Sequence, residues 1–154
     1  MDYENHIKEF SSLAKEYCEW VENKKDKESD VYYLQVLLSK LYCWGIQLPG
    51  CEPSDLLYSD DMPSHDYNEI TKYFNDFPYQ YYSTVFNAEI VPSEEPVVGD
   101  IIDDLSDIYK DLKDGLWYLD QGSEIDAVFH WRTSLGSHWA RHILGAMHAL
   151  YCHE

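Results

Sequence analysis

Residues 97–121 read VVGDIIDDLSDIYKDLKDGLWYLDQ, and this stretch decides the fold. Val98, Ile101, Leu105, Ile108, Leu112 and Leu119 recur at steps of three and four, with Gly115 in place of one member, and Ile102, Tyr109 and Leu116 widen the stripe. That is the period of an amphipathic helix whose apolar face must be core. The polar residues keep a period of their own. Asp100, Asp104, Asp107 and Asp111 step by four, three and four along the other side. Asp103, Asp114 and Asp120 complete the acidic set, and the stretch holds no glutamate.

The next stretch answers that charge. Residues 123–153 carry both arginines, Arg132 and Arg141, and five of the seven histidines: His130, His138, His142, His148 and His153. Between the two stretches, Gly122 reads as a helix C-cap and Ser123-x-x-Asp126 as a capping box, so two long helices meet at a very short turn and lie antiparallel. Folding the pair there sets residues whose numbers sum to about 245 side by side, because both arms rise by ~1.5 Å per residue. Asp104 then faces Arg141, Asp107 lies level with His138, and Asp103 with His142. The Ser134–Ser137 stretch, with Gly136 inside it, is where a kink can shift this register by a turn.

Two chemistries fit such opposed faces. The first is an ion-pair ladder of Asp103, Asp104 and Asp107 with Arg141, which fixes helix register without any reaction and needs no cofactor. The alternative is a divalent metal such as zinc or manganese, with Asp104, Asp107, His138 and His142 as ligands, since His138 and His142 are four apart on one helical face. The H-x-x-x-H spacing has Trp139 where metalloproteases place a glutamate, and the Glu-x-x-His of di-iron bundles is absent. His148 and His153 read as surface residues, and His130, beside Trp131, as a satisfied, partly buried histidine.

Working outward to the N-terminus, Ile7, Phe10, Leu13, Ala14, Tyr17 and Val21 predict a helix over about 4–23, followed by a basic break at Lys24-Lys25. Ser29 or Asp30 caps a second helix with the stripe Leu34, Leu37, Leu38 and Leu41, stopped near Gly45 by Pro49 and Gly50. A loop follows over 46–63. Ser64 is expected to cap a third helix, interrupted at Phe77-Pro78 and continued over Tyr79–Asn87. Pro92, Glu94, Glu95 and Pro96 form a second linker. No sustained alternation predicts a sheet, and the expected fold is a single all-α domain over 1–154, a bundle of about six helices ending in a long antiparallel hairpin.

Composition excludes several functions. A net charge of −18 over 154 residues lacks the Lys/Arg stripe that neutralises phosphates, which argues against nucleic acid and equally against an anionic membrane. The opening MDYENHIKEF is no signal peptide, no apolar run approaches the ~20 residues of a membrane span, and Cys18, Cys43, Cys51 and Cys152 form no C-x-x-C pair. A cytoplasmic chain with reduced cysteines is expected. No nucleophile elbow or phosphate-binding glycine loop is present. Fourteen tyrosines exceed what a small core needs. Tyr79, Tyr81 and Tyr82, near Asp60, Asp61, Asp66 and Asp76, are therefore the expected anchors for a basic protein surface.

The run from Gly99 to Lys113, GDIIDDLSDIYKDLK, followed by Phe129-His130-Trp131-Arg132 and by Ser137-His138-Trp139-Ala140-Arg141-His142, resembles the bacterial domain of unknown function 5063 family. The resemblance implies a compact all-helical fold and brings no established activity. The expected role is a non-enzymatic protein-interaction module. The alternative is a metal-binding protein or metal-dependent enzyme with an Asp/His site between the last two helices.

Overall fold

The computed structural model describes residues 3–23, 27, 30–89 and 94–153. Lys24, Lys25, Ser29 and Pro92 lie outside the described residues. The chain is mostly helical: α1 (Tyr3–Glu22), α2 (Val31–Gly45), a 3-10 turn (Asp55–Tyr58), a short α3 (Tyr67–Thr71) running into a 3-10 turn, β1 (Tyr81–Thr84), β2 (Val97–Asp100), α4 (Ile101–Asp120), α5 (Glu124–Ser134) and α6 (Ala140–Cys152). A π turn over Leu135–Trp139, closed by the Ala140 amide donating to the Leu135 carbonyl, joins α5 to α6. The last three pieces form one helical run over 124–152.

The hairpin is built as its residues require. Gly122 takes φ +81°, where a side chain would be strained. Ser123 then caps α5 by accepting from the Asp126 amide. Asp126 is fully buried and accepts from the Ser123 hydroxyl at 2.5 Å, the Ser54 amide at 2.7 Å and the Ser54 hydroxyl at 2.5 Å, so one carboxylate ties the long loop after α2 to the hairpin turn. Arg132, on the same side, donates to the Leu48 carbonyl.

The α4 stripe becomes core from Ile101 onward. Leu105, Ile108 and Leu112 pack with Phe10, Tyr17, Leu34, Leu38, Leu41, Trp131, Trp139, Ile143 and Leu150, all essentially inaccessible. The missing member of the stripe is explained by its neighbour: a Cβ at Gly115 would overlap the Trp131 indole, which is buried there with Nε1 3.2 Å from the Leu112 carbonyl. Burial of four large aromatics and this many aliphatics, at roughly 1.5–3 kcal/mol per side chain, is what holds the bundle against its conformational entropy.

Three local expectations are corrected. The helix does not begin at 97: Val97–Asp100 is a strand, Val98 is 74% exposed instead of core, and Asp100 is the N-cap of α4, accepting from Ile102 and Asp103 amides. Its partner is Tyr81–Thr84, not a helical continuation, with Tyr82 opposite Gly99 in an antiparallel pair. Tyr-Tyr-Ser-Thr is β-prone and Pro78 bars helix from reaching it, but four residues are too few for periodicity to declare a strand. Finally, Asp66 rather than Ser64 caps α3, accepting from the Asn68 amide at 2.9 Å.

Candidate functional site

The polar stripe of α4 is not solvated. Asp104 and Asp111 are each only 7% exposed, and Asp107 and Asp114 are partly covered, because the α5–α6 run lies over them. Along that run His130, His138 and His142 meet the four aspartates. Two of these histidines are eight residues apart, which on a regular helix would put them about 80° apart around the axis. His138 sits inside the π turn, whose wider winding advances less than about 100° per residue, so the angle between the two rings is smaller than that. A local irregularity of the backbone thus turns both imidazoles toward α4.

The expected pairing of Asp104 with Arg141 is not formed. Asp104 Oδ1 instead accepts from His142 Nδ1 at 2.7 Å, and its Oδ2 from the Tyr82 hydroxyl at 2.6 Å. Arg141 is exposed and makes no ion pair with a described residue. The register count gave the height along the hairpin but not the azimuth, and residues 141 and 142 point about 100° apart. Asp103 likewise misses His142 and accepts from the Tyr67 hydroxyl at 2.5 Å. Of the ladder proposed from sequence, Asp104 and Asp107 meet histidines, and Asp103 and Arg141 do not take part.

Around Asp107 the geometry is specific. His142 Nδ1 is held by Asp104, and His138 Nδ1 is held by Asp111 Oδ2 at 2.6 Å. Both rings therefore aim Nε2 the other way, and both Nε2 atoms converge on one oxygen, Asp107 Oδ2, at 3.4 Å from His142 and 3.7 Å from His138. The rings sit T-shaped with centroids 4.8 Å apart. His142 is 9% exposed and its Nε2 has no hydrogen-bond partner among the described residues. Asp107, His138 and His142 were among the four residues singled out from sequence. The fourth, Asp104, stands behind His142 on its other nitrogen.

Beside this cluster, between the β-hairpin and α6, lies a groove of about 700 Å³. Tyr82, Asp104, Arg141, His142 and His148 line it together with apolar Phe86, Val98 and Leu144. Tyr82 reaches Asp104 only because position 145 is glycine, where a Cβ would overlap its hydroxyl. Burial, with the Asp104 carboxylate beside it, pushes the Tyr82 hydroxyl well above its ordinary pKa, so it remains a donor. The three tyrosines proposed as one anchor patch are separated: Tyr82 is engaged here, Tyr79 stacks on His153 at 4.2 Å, and Tyr81 alone is exposed, at 62%.

Sequence reasoning missed the lower half of the array. Asp111, Asp114 and His130 bring one ligand-type atom each to within 4.8 Å of the others, and His65, from the loop before α3, places Nε2 2.6 Å from Asp114 Oδ1. His130 is partly buried, as its position beside Trp131 implied, but not satisfied: its Nε2 is shielded from solvent and has no partner among the described residues. The available signal was the continuation of the aspartate period through Asp114, one step of three beyond Asp111.

The class is thereby defined as a helical bundle whose C-terminal hairpin encloses a row of alternating carboxylates and imidazoles. The chain belongs to the family described as Domain of unknown function (DUF5063), which it matches over residues 1–154. No curated protein matches it. Among solved structures it is similar to protein BF1032 from Bacteroides fragilis, with a TM-score of 0.73 and 23% identity over 95% of this chain and 90% of that one, a likeness of fold. Among the described residues, no helix is long and apolar enough to cross a membrane.

Proposed function

We propose that this protein binds a divalent transition-metal ion of the zinc class between α4 and the α5–α6 run, with Asp107, His138 and His142 as ligands. The observation that carries the reading is the convergence of two imidazole Nε2 atoms on one carboxylate oxygen while each Nδ1 is fixed by a carboxylate of its own. Metal-bound histidines are oriented in this way by their second nitrogen. The alternative cation is a proton. With Nδ1 donating to Asp104, a neutral His142 turns the Nε2 lone pair toward Asp107, so something positive belongs between them. An imidazolium would draw the carboxylate in to about 2.7–2.9 Å. Two ligand atoms sharing a tetrahedral ion with bonds of about 2.0–2.1 Å are instead about 3.3 Å apart, close to the 3.4 Å and within a small adjustment of the 3.7 Å seen here.

Two imidazoles and one carboxylate suit zinc better than magnesium or calcium. Three protein ligands leave a fourth position for water or a bound molecule. The test is titration of chelator-stripped protein with zinc, followed by calorimetry and thermal melting. A raised Tm and tight binding, reduced by one equivalent in His142→Ala and in His138→Ala, support the reading. Absence of heat and of any thermal shift with zinc or manganese overturns it.

A second reading, docking of a basic protein surface, is supported by the groove mouth, where Phe86 (73% exposed) and Val98 stand beside Asp100 and Asp103. Such binding weakens steeply with salt and with Phe86→Ala. Capture of a partner indifferent to both changes removes this reading.

A further inference from the structure

We infer that the same hairpin holds a second divalent metal site, formed by Asp111, Asp114 and His130 and distinct from the one around Asp107. Asp111 and Asp114 are three apart on α4 and share a face, and His130 reaches them from α5. One ligand atom from each lies within 4.8 Å of the others, so closing them to ligand spacing takes side-chain movements of about an ångström.

Three observations point to a cation here. His130 Nε2 is shielded from water and has no partner among the described residues, and a ring nitrogen of His130 lies within 4.8 Å of one carboxylate oxygen each of Asp111 and Asp114. A neutral ring offers a lone pair to a negatively charged neighbourhood, an arrangement that an inserted cation turns from repulsive to bonding. Second, each carboxylate already has one oxygen tied down, Asp111 Oδ2 by His138 and Asp114 Oδ1 by His65, and the other oxygen of each accepts no hydrogen bond from a described residue. Third, those ties are the outer supports that orient carboxylate ligands in metal sites.

The two sites are linked but separate. Asp111 holds His138 through one oxygen and offers the other to the second ion, so a whole imidazole stands between the two metals. That is unlike the carboxylate-bridged pair about 3.5–4 Å apart that works on one substrate. Two independent binding events follow, and the second does not require the first. Two carboxylates with one imidazole make the second site the harder of the two, and its ion a divalent transition metal such as manganese or zinc.

The experiment is equilibrium dialysis of the stripped full-length chain against excess zinc chloride, with bound metal counted by elemental analysis and folding followed by far-UV circular dichroism. The wild type is expected to hold two equivalents, His130→Ala one, and His142→Ala one. Should His130→Ala lose helicity, Asp114→Asn is the second variant, expected to hold one. Two equivalents retained in helical His130→Ala and Asp114→Asn proteins overturn the second site. One equivalent in the wild type, lost with His142→Ala only, overturns it also and leaves the first site standing. One equivalent lost with His130→Ala only supports the second site and overturns the first.

Discussion

Asp104→Asn is the perturbation that separates a metal ligand from the group behind it. In the native protein the Asp104 carboxylate, 7% exposed, accepts from His142 Nδ1 at 2.7 Å and from the Tyr82 hydroxyl at 2.6 Å. Asparagine keeps the shape and one acceptor oxygen but loses the charge. A hydrogen bond to a charged group contributes about 1.5–3 kcal/mol, roughly twice a neutral one, so the variant forfeits about 1–1.5 kcal/mol of the interaction that makes His142 a better donor to metal. Removing such an outer support ordinarily costs about 10–100-fold in metal affinity, about 1.4–2.7 kcal/mol, and the two estimates meet near tenfold. Competition with a chromophoric zinc chelator measures it, with thermal melting as the control for folding. Unchanged affinity would refute the idea that Asp104 orients His142. Complete loss in a folded variant would refute the geometry differently, by making Asp104 itself a ligand.

Other consequences concern the frame around the site. Gly115→Ala inserts a methyl where the Trp131 indole lies, and overpacking of about 1–3 kcal/mol outweighs the gain in helix propensity of about 1 kcal/mol, so urea unfolding should show a net loss of stability. Arg141→Ala should change stability by less than about 1 kcal/mol, since the side chain is exposed and makes no ion pair with a described residue; a loss near 3 kcal/mol would restore the buried pair with Asp104. Burial pushes the Asp126 carboxyl up, but the hydrogen bonds from Ser123 and Ser54 together outweigh it and hold the folded group below its ordinary range. Its contribution is therefore complete above the unfolded carboxyl value of about 4 and is lost as pH falls through that value toward the lowered native one. Asp126→Ala should flatten the stability profile over that window, and an unaltered acid transition would count against the assignment.

What the sequence made legible follows from the range of the forces involved. The α4 stripe from Ile101 onward, the Gly122-Ser123 turn and the antiparallel hairpin are written in local periods and caps, and they stand as read, whereas Val98 falls outside the helix. The pairing across the hairpin is not local. A count of rise places Asp107 level with His138, but it cannot know that Leu135–Trp139 winds as a π turn, nor which way Arg141 faces. The β-hairpin escaped because its two strands are four residues each and find one another across an intervening segment. His65 escaped for a similar reason, as nothing within its own loop declares that Asp114 lies opposite. Asp111 was visible as one of a stripe, and its part in supporting His138 became visible only with the partner helix in place.

The proposed ion sits at the middle of this array, held by two imidazoles and a carboxylate. X-ray absorption at the zinc edge, on protein carrying one equivalent, reads those neighbours directly. Two imidazole nitrogens are expected at about 2.0–2.1 Å with the outer-ring scattering of histidine, one or two oxygens at about 2.0–2.2 Å, and no sulfur, with one imidazole fewer in His138→Ala. A sulfur neighbour at about 2.3 Å, or a shell of oxygens alone as for an ion adrift on an acidic surface, would contradict it.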